Sequence, residues 1–230
     1  MENKFLEQLK FDEKKINGLM SKINLGLKTY IENNVIEEYN LNDGGHNIDH
    51  INYVLNRSFE IVNSDINIDV LYTCVMFHDI SCHIDRENHE ILSAERAFND
   101  EFLNEFFDEN QMLTIKNAIE DHRASLEYEP RNIYGKILSS ADRKVEVKVY
   151  LVSSMSFDIK KHPELTKEEV INGSYEFAIK KFGKNGYAIN KSYISDGKYE
   201  KFLNDLQYLI ESKQEYFETA GIVYDEIKGI

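Results

Sequence analysis

A chain of 230 residues is long enough for one large domain or two small ones. With 11 Gly and 2 Pro it is too poor in breakers for the many tight turns of a β-sandwich or barrel, which shifts the expectation to helices. Its 27 basic residues against 41 acidic ones give a formal net charge of −14, which argues against a nucleic-acid surface and against docking on an anionic membrane.

In chain order, the first residues (Met1-Glu2-Asn3-Lys4-Phe5-Leu6-Glu7) lack the apolar segment of a signal peptide. Behind a cap at Asp12, Leu19, Ile23, Leu27, Tyr30 and Ile31 follow helical spacing. Leu41-Asn42-Asp43-Gly44-Gly45 reads as a turn. From Asn47 to Asn63, Ile48, Ile51, Leu55, Phe59 and Val62 share one helical face. Further helices are predicted over 68–81, 89–100, 109–122, 132–155, 167–182 and 198–217, for seven to nine in all and no strand. Pro130 and Pro163 fall between them, where a missing N–H costs least.

The segment Phe182-Gly183-Lys184-Asn185-Gly186-Tyr187 is the most loop-like later stretch. The expected architecture is one all-α domain over 1–230, with a motif-bearing core over 44–150 and a C-terminal helical extension over 165–230. In that extension Leu203, Leu206, Ile210 and Phe217 are expected to pack as one face, which could also serve as a homodimer contact. Two cysteines, Cys74 and Cys82, cannot build a disulfide framework, and no stretch nears the roughly 18 apolar residues of a membrane span. A cytoplasmic protein is expected.

The informative residues are chelators on faces that should be apolar. Leu71, Cys74, Val75 and His78 follow i, i+3, i+4, i+7, and Asp79 comes next. Ile115, Ala118, Ile119 and His122 repeat the spacing, and Leu138, Ala141, Asp142 and Val145 carry an aspartate inside it. His50 lies at the edge of an apolar face, and His89 opens a helix. One histidine closing an apolar stripe is ordinarily a satisfied core or capping residue. Three stripes ending in or containing chelators point instead to one shared cation, since burying each alone costs several kcal/mol. Imidazole with carboxylate suits Mn, Fe, Co, Ni or Zn, with Mg a further candidate. No thiolate belongs to the set, and Cys74, Cys82 and His83 read as structural. His46, one turn before His50, could contact it or cap the helix, and His162 reads as a loop residue.

The order of these residues resembles that of the HD superfamily of metal-dependent phosphohydrolases: a His, a His-Asp dipeptide and a distant Asp, all on helices. The matching residues are His50 in Gly45-His46-Asn47-Ile48-Asp49-His50-Ile51, His78-Asp79 in Val75-Met76-Phe77-His78-Asp79-Ile80, and Asp142 in Lys136-Ile137-Leu138-Ser139-Ser140-Ala141-Asp142-Arg143. The resemblance spans 44–150. His89 in His89-Glu90-Ile91-Leu92-Ser93-Ala94 and His122 in Ile119-Glu120-Asp121-His122 resemble the third and fourth histidines of dinuclear members. Tyr53-Val54 stands where relatives often carry Arg-Val, and Ser81 where a Gly is usual. Neither is a ligand. The glycine-rich insertion of cyclic-dinucleotide-specific members is missing.

The resemblance implies an HD-domain helical bundle with one or two divalent ions, held by His50, His78, Asp79 and Asp142, and at a second position by His89 and His122 with Asp79 bridging. It implies hydrolysis of a nucleotide or related phosphate ester or anhydride by a metal-activated water. A leaving-group acid would come from Asp85, Glu87, His89 or His122. Arg143, Lys144 and Arg123 lead the side chains that could grip phosphate, with Arg57 and Arg86 behind them. Two other readings stay open: a di-iron oxygenase built on the same ligands, and a non-enzymatic metal- and nucleotide-binding module.

Overall fold

A computed structural model of the chain describes residues 4–6, 10–42, 45–62 and 65–229. Asp43 and Gly44 of the expected turn, and Asn63 at the expected helix end, lie outside them. Among the described residues the chain is all-α, with no strand. It divides into two compact units, one of Phe11–Asp142 with Ser192–Ile194, the other of Met1–Lys10, Arg143–Lys191 and Ser195–Ile230. No helix among the described residues is long and apolar enough to cross a membrane.

The first unit contains α1 (Glu13–Met20), α2 (Leu25–Asn34), α3 (Ile48–Ile61), α4 (Ile68–Phe77), α5 (His89–Phe98), α6 (Glu101–Phe106), α7 (Glu109–Glu120) and α8 (Ile133–Ala141), plus a 3-10 turn over Ile36–Leu41. Side-chain caps start most of them: Asp12, Asn24, Asn47, Asn67, Asp100, Asp108 and Asn132 each accept a bond from a first-turn N–H. Asp108 and Gln111 form a reciprocal capping box. α4 is apolar on nearly all sides, and every residue from Val70 to Phe77 is buried. A helix of that kind can only be central. Accordingly α3, α5, α7 and α8 pack around it, and Val54, Phe59, Leu71, Phe77, Ile115 and Leu138 share one core.

Helix boundaries differ from expectation in ways that matter for the site. The 68–81 helix stops at Phe77, and His78 to Cys82 form tight turns in which Ile80 N–H bonds Phe77 C=O and Cys82 N–H bonds Asp79 C=O. The single helix expected over 132–155 is two: α8 ends on Asp142, and α9 (Val147–Lys161) begins after an extended Glu146. No Gly or Pro marks this break, so composition gave no sign of it. α6 was not anticipated, and the described helices outnumber the seven to nine expected.

The second unit comprises α9, α10 (Lys167–Phe182), α11 (Lys198–Glu211) and α12 (Lys213–Lys228), with a 3-10 turn at Lys4–Leu6. α9, α10 and α12 pack on one another, and α11 lies against all three. The helix expected over 198–217 breaks at Ser212. Its buried stripe is Tyr199, Phe202, Leu206 and Leu209; of the expected face Leu206 is buried, Leu203 and Ile210 are half-buried, and Phe217 falls on α12. Gly197 takes the left-handed conformation, φ 75°, before α11, which only glycine adopts without strain. A hydroxyl chain, from half-buried Ser154 to buried Ser174 and Tyr216, at 2.7 and 2.8 Å, satisfies three polar groups inside this unit.

Candidate metal centre

Five helix ends in the first unit deliver the chelators. His50 sits in the first turn of α3, its N–H held by the Asn47 cap at 3.1 Å. His78 caps the C-terminus of α4, one residue past Phe77, and Asp79 follows it in the turn. His89 is the first residue of α5, Asp142 closes α8, and His122 lies just past α7. Helix ends leave backbone carbonyls without intrahelical partners. Three of the histidines use nearby carbonyls: Nδ1 of His78 bonds Val75 O at 2.8 Å, Nδ1 of His122 bonds Ile119 O at 2.6 Å, and Nδ1 of His89 bonds Arg86 O at 2.9 Å.

Those bonds assign the tautomer. A carbonyl can only accept, so each Nδ1 carries a proton, and in the neutral ring Nε2 presents a lone pair. The Nε2 atoms all turn to the Asp79 carboxylate. Oδ2 lies 3.2 Å from His50 Nε2 and 3.3 Å from His78 Nε2. Oδ1 lies 3.2 Å from His89 Nε2 and 3.3 Å from His122 Nε2. Within each pair the Nε2 atoms are 3.4 and 3.3 Å apart, and Asp142 Oδ1 is 3.3 Å from His50 Nε2. One carboxylate thus joins two imidazole pairs, and Asp142 completes one of them.

Lone pairs converging in a buried space repel unless a proton or a cation lies between them. Asp79 is 2% exposed, and its Oδ1 receives no hydrogen bond of acceptable geometry. Protons supply part of the compensation. Burial pushes the His78 imidazole down, but Asp79 and then Asp142 outweigh it and its pKa is raised. Burial likewise opposes His89, and Asp79 again prevails. For His122 burial wins, aided by the neighbouring His78 and His89, and its pKa falls. Burial would raise Asp79, yet His78 and the surrounding imidazoles hold it well below the usual carboxylate range. A cation does the same work better. Nitrogens sharing an ion at about 2.0–2.1 Å stand roughly 3.0–3.4 Å apart, which matches both pairs. His50, His78 and Asp142 form one group able to hold a metal ion, and His78, Asp79 and His122 another.

Surrounding contacts fix these side chains. Asp85 accepts bonds from the Glu87 and Asn88 N–H groups and from Asn88 Nδ2, which shapes the turn into His89. Asp121, fully buried, is clamped by Arg131 through Nε at 2.9 Å, Nη2 at 2.8 Å and the backbone N–H at 2.7 Å. This pins the chain beside His122. Asn42 Nδ2 donates to Asp79 O at 2.9 Å and to His46 O at 3.0 Å, while its Oδ1 accepts from His83 N–H. Sequence reading missed Asn42 and Asp121, because each is defined by partners elsewhere along the chain; Asp85 was expected as a leaving-group acid, and the structure has it bonded within the turn before His89.

The other expected site residues fall differently. Glu87 is exposed, and its backbone carbonyl is what engages the site region, accepting from Arg123 Nη1. Arg123 also pairs with both Glu90 oxygens at 3.1 Å. Arg57 is buried and paired with Glu60 at 2.6 Å. Arg143 and Lys144 belong to the second unit, where Arg143 is buried and opposes the burial that lifts Tyr199 to about 12. Cys82, read as structural, comes together with His46 and Asp79 in a third group of potential ligands. Comparison with protein-family models, curated proteins and solved structures finds no match to this chain.

Proposed function

We propose that this chain is a metal-dependent phosphohydrolase of the HD type, acting on a small phosphorylated molecule, with nucleotides the first candidates. The observation that carries the reading is the Asp79 carboxylate, whose two oxygens each face a separate imidazole pair in a buried space. Asp79 Oδ2, His50, His78 and Asp142 would hold one ion, and Asp79 Oδ1, His89 and His122 the other. Mn, Fe, Co, Ni and Zn suit this nitrogen and carboxylate set, with Mg next. Bound there, divalent ions lower the pKa of a coordinated water and polarise a phosphoryl oxygen.

The protein's own side chains supply orientation. The Nδ1 bonds to Val75, Arg86 and Ile119 carbonyls fix three rings before any ion arrives, so little reorganisation is required. With His89 and His122 committed as ligands, the leaving-group proton must come from elsewhere. Asp85 is a poor donor: its bonds from Asn88 and Glu87 lower its pKa. Glu87 is the remaining carboxyl of the expected set. Of the three leading phosphate-gripping candidates, Arg123, held by Glu90 next to His89, is the one that lies within this unit. A chain of net charge −14 repels anions at long range, so the attraction must be local, at the cations.

The test is a panel of nucleotides and phosphodiesters assayed with Mn, Co, Ni and Mg. Metal-dependent release of phosphate or of a nucleoside product supports the proposal. No turnover of any member with any metal, by protein shown to bind metal, would overturn it. A coloured mixed-valent iron centre in such inactive protein would move the reading to oxygenase chemistry.

A further inference from the structure

The structure places a thiol where the sequence offered none: we propose that His46, Asp79 and Cys82 form an additional, thiophilic metal site that shares Asp79 with the proposed centre. One ligand atom from each of the three lies within 4.8 Å of the others. Asp79 and Cys82 are three residues apart, and the turn closed by Cys82 N–H on Asp79 C=O at 3.1 Å is what brings them together. His46 arrives from the segment before α3, held by Asn42, whose amide bonds both His46 O and Asp79 O. The His46 ring centroid stands 5.8 Å from that of His50 and 6.1 Å from that of His89, so it borders the imidazole cluster. Cys82 is in no disulfide.

The donor chemistry separates this site from its neighbour. Imidazole and carboxylate accept Mn or Mg as well as Zn, but a thiolate selects Zn, Cd or Co over the hard ions. On binding, the Cys82 thiol gives its proton to solvent as the sulfur–metal bond forms. Asp79 has two oxygens, and both face imidazoles of the neighbouring centre. Occupancy at His46 and Cys82 therefore withdraws one of them, so excess thiophilic metal works against the ions proposed above. The inference rests on Asp79 being a shared ligand.

Cobalt titrated into metal-depleted full-length protein tests it, because a cobalt–thiolate bond gives a near-ultraviolet charge-transfer band that histidine and carboxylate do not. Wild type is expected to develop the band. Cys82→Ser should lose it and bind fewer cobalt ions by equilibrium dialysis, and His46→Ala should weaken it. Cys74→Ser, at the other cysteine, should keep it. A wild type without the band, or a band that persists in Cys82→Ser, overturns the site. The outcomes stay separable from those of the hydrolase reading: a Cys82-dependent band in protein that hydrolyses nothing sustains this site alone, and hydrolysis without a band removes it alone.

Discussion

The stability conferred by a divalent ion should grow steeply as pH rises above about 6.5, because protons and the ion compete for the same nitrogens. In metal-free protein Asp79 raises the pKa of both His78 and His89 above the ordinary 6.5. Their contribution to stability is complete below 6.5 and is lost as pH climbs through their raised values. His122, lowered, acts oppositely and only below 6.5. Asp79, held low, contributes above its ordinary 3.8 and loses that contribution only in acid. Above 6.5, then, the metal-free protein weakens while the ion must displace up to two protons. Each displaced proton changes apparent affinity about tenfold per pH unit, roughly 1.4 kcal/mol, so two give up to about 2.7 kcal/mol per unit. For a chain of this length about 2–4 °C accompany each kcal/mol, so the metal-induced rise in Tm should increase by about 5–10 °C per pH unit across the window. The chain has no tryptophan, so the melts are best followed by far-ultraviolet circular dichroism, with and without excess Mn. A metal-induced shift that is flat or shrinks as pH rises would refute the proton-for-metal exchange.

Three further outcomes follow from individual contacts. Arg131→Ala leaves the buried Asp121 without its guanidinium. Breaking such a pair costs about 3–5 kcal/mol, and since the Arg131 side chain is 41% exposed water recovers part, leaving about 2–3 kcal/mol by urea denaturation. Asn42→Ala removes two donors and one acceptor that tie Asp79 and His46 to His83. It should cost about 1–3 kcal/mol in the same assay and weaken Mn affinity in equilibrium dialysis. Leu71→Ala, at a fully buried position on the central helix, should destabilise by about 2–5 kcal/mol through the cavity it leaves, with metal stoichiometry unchanged in the folded fraction.

The helices were readable where apolar spacing and breakers agreed, as over Lys167–Phe182, where a Thr166 cap and the expected range coincide with the observed one. Spacing could not see the break at Asp142. The residues around it are acceptable helix formers, and the interruption is made by α8 ending on an aspartate turned to His50. The site was legible as a set of chelators on apolar faces, because those residues are anomalous in hydrophobic company. Its partition into two imidazole pairs across one carboxylate was not, since that depends on which way each ring turns. The Nδ1 contacts to Val75, Arg86 and Ile119 carbonyls decide it. Cys82 escaped for the opposite reason: on the sequence it looks ordinary, its histidine neighbour His46 is remote along the chain, and it is the turn after Asp79 that brings the three within reach.

The central claim is that the buried cluster around Asp79 exists to hold divalent metal. Elemental analysis of purified full-length protein, expressed with transition metals supplied and dialysed free of loose ions, tests it most directly. Wild type should retain about one or two equivalents, and the His78→Ala, Asp79→Ala double variant, folded by circular dichroism, should retain none. Wild type emerging without metal, or a folded double variant retaining as much as wild type, would contradict the account.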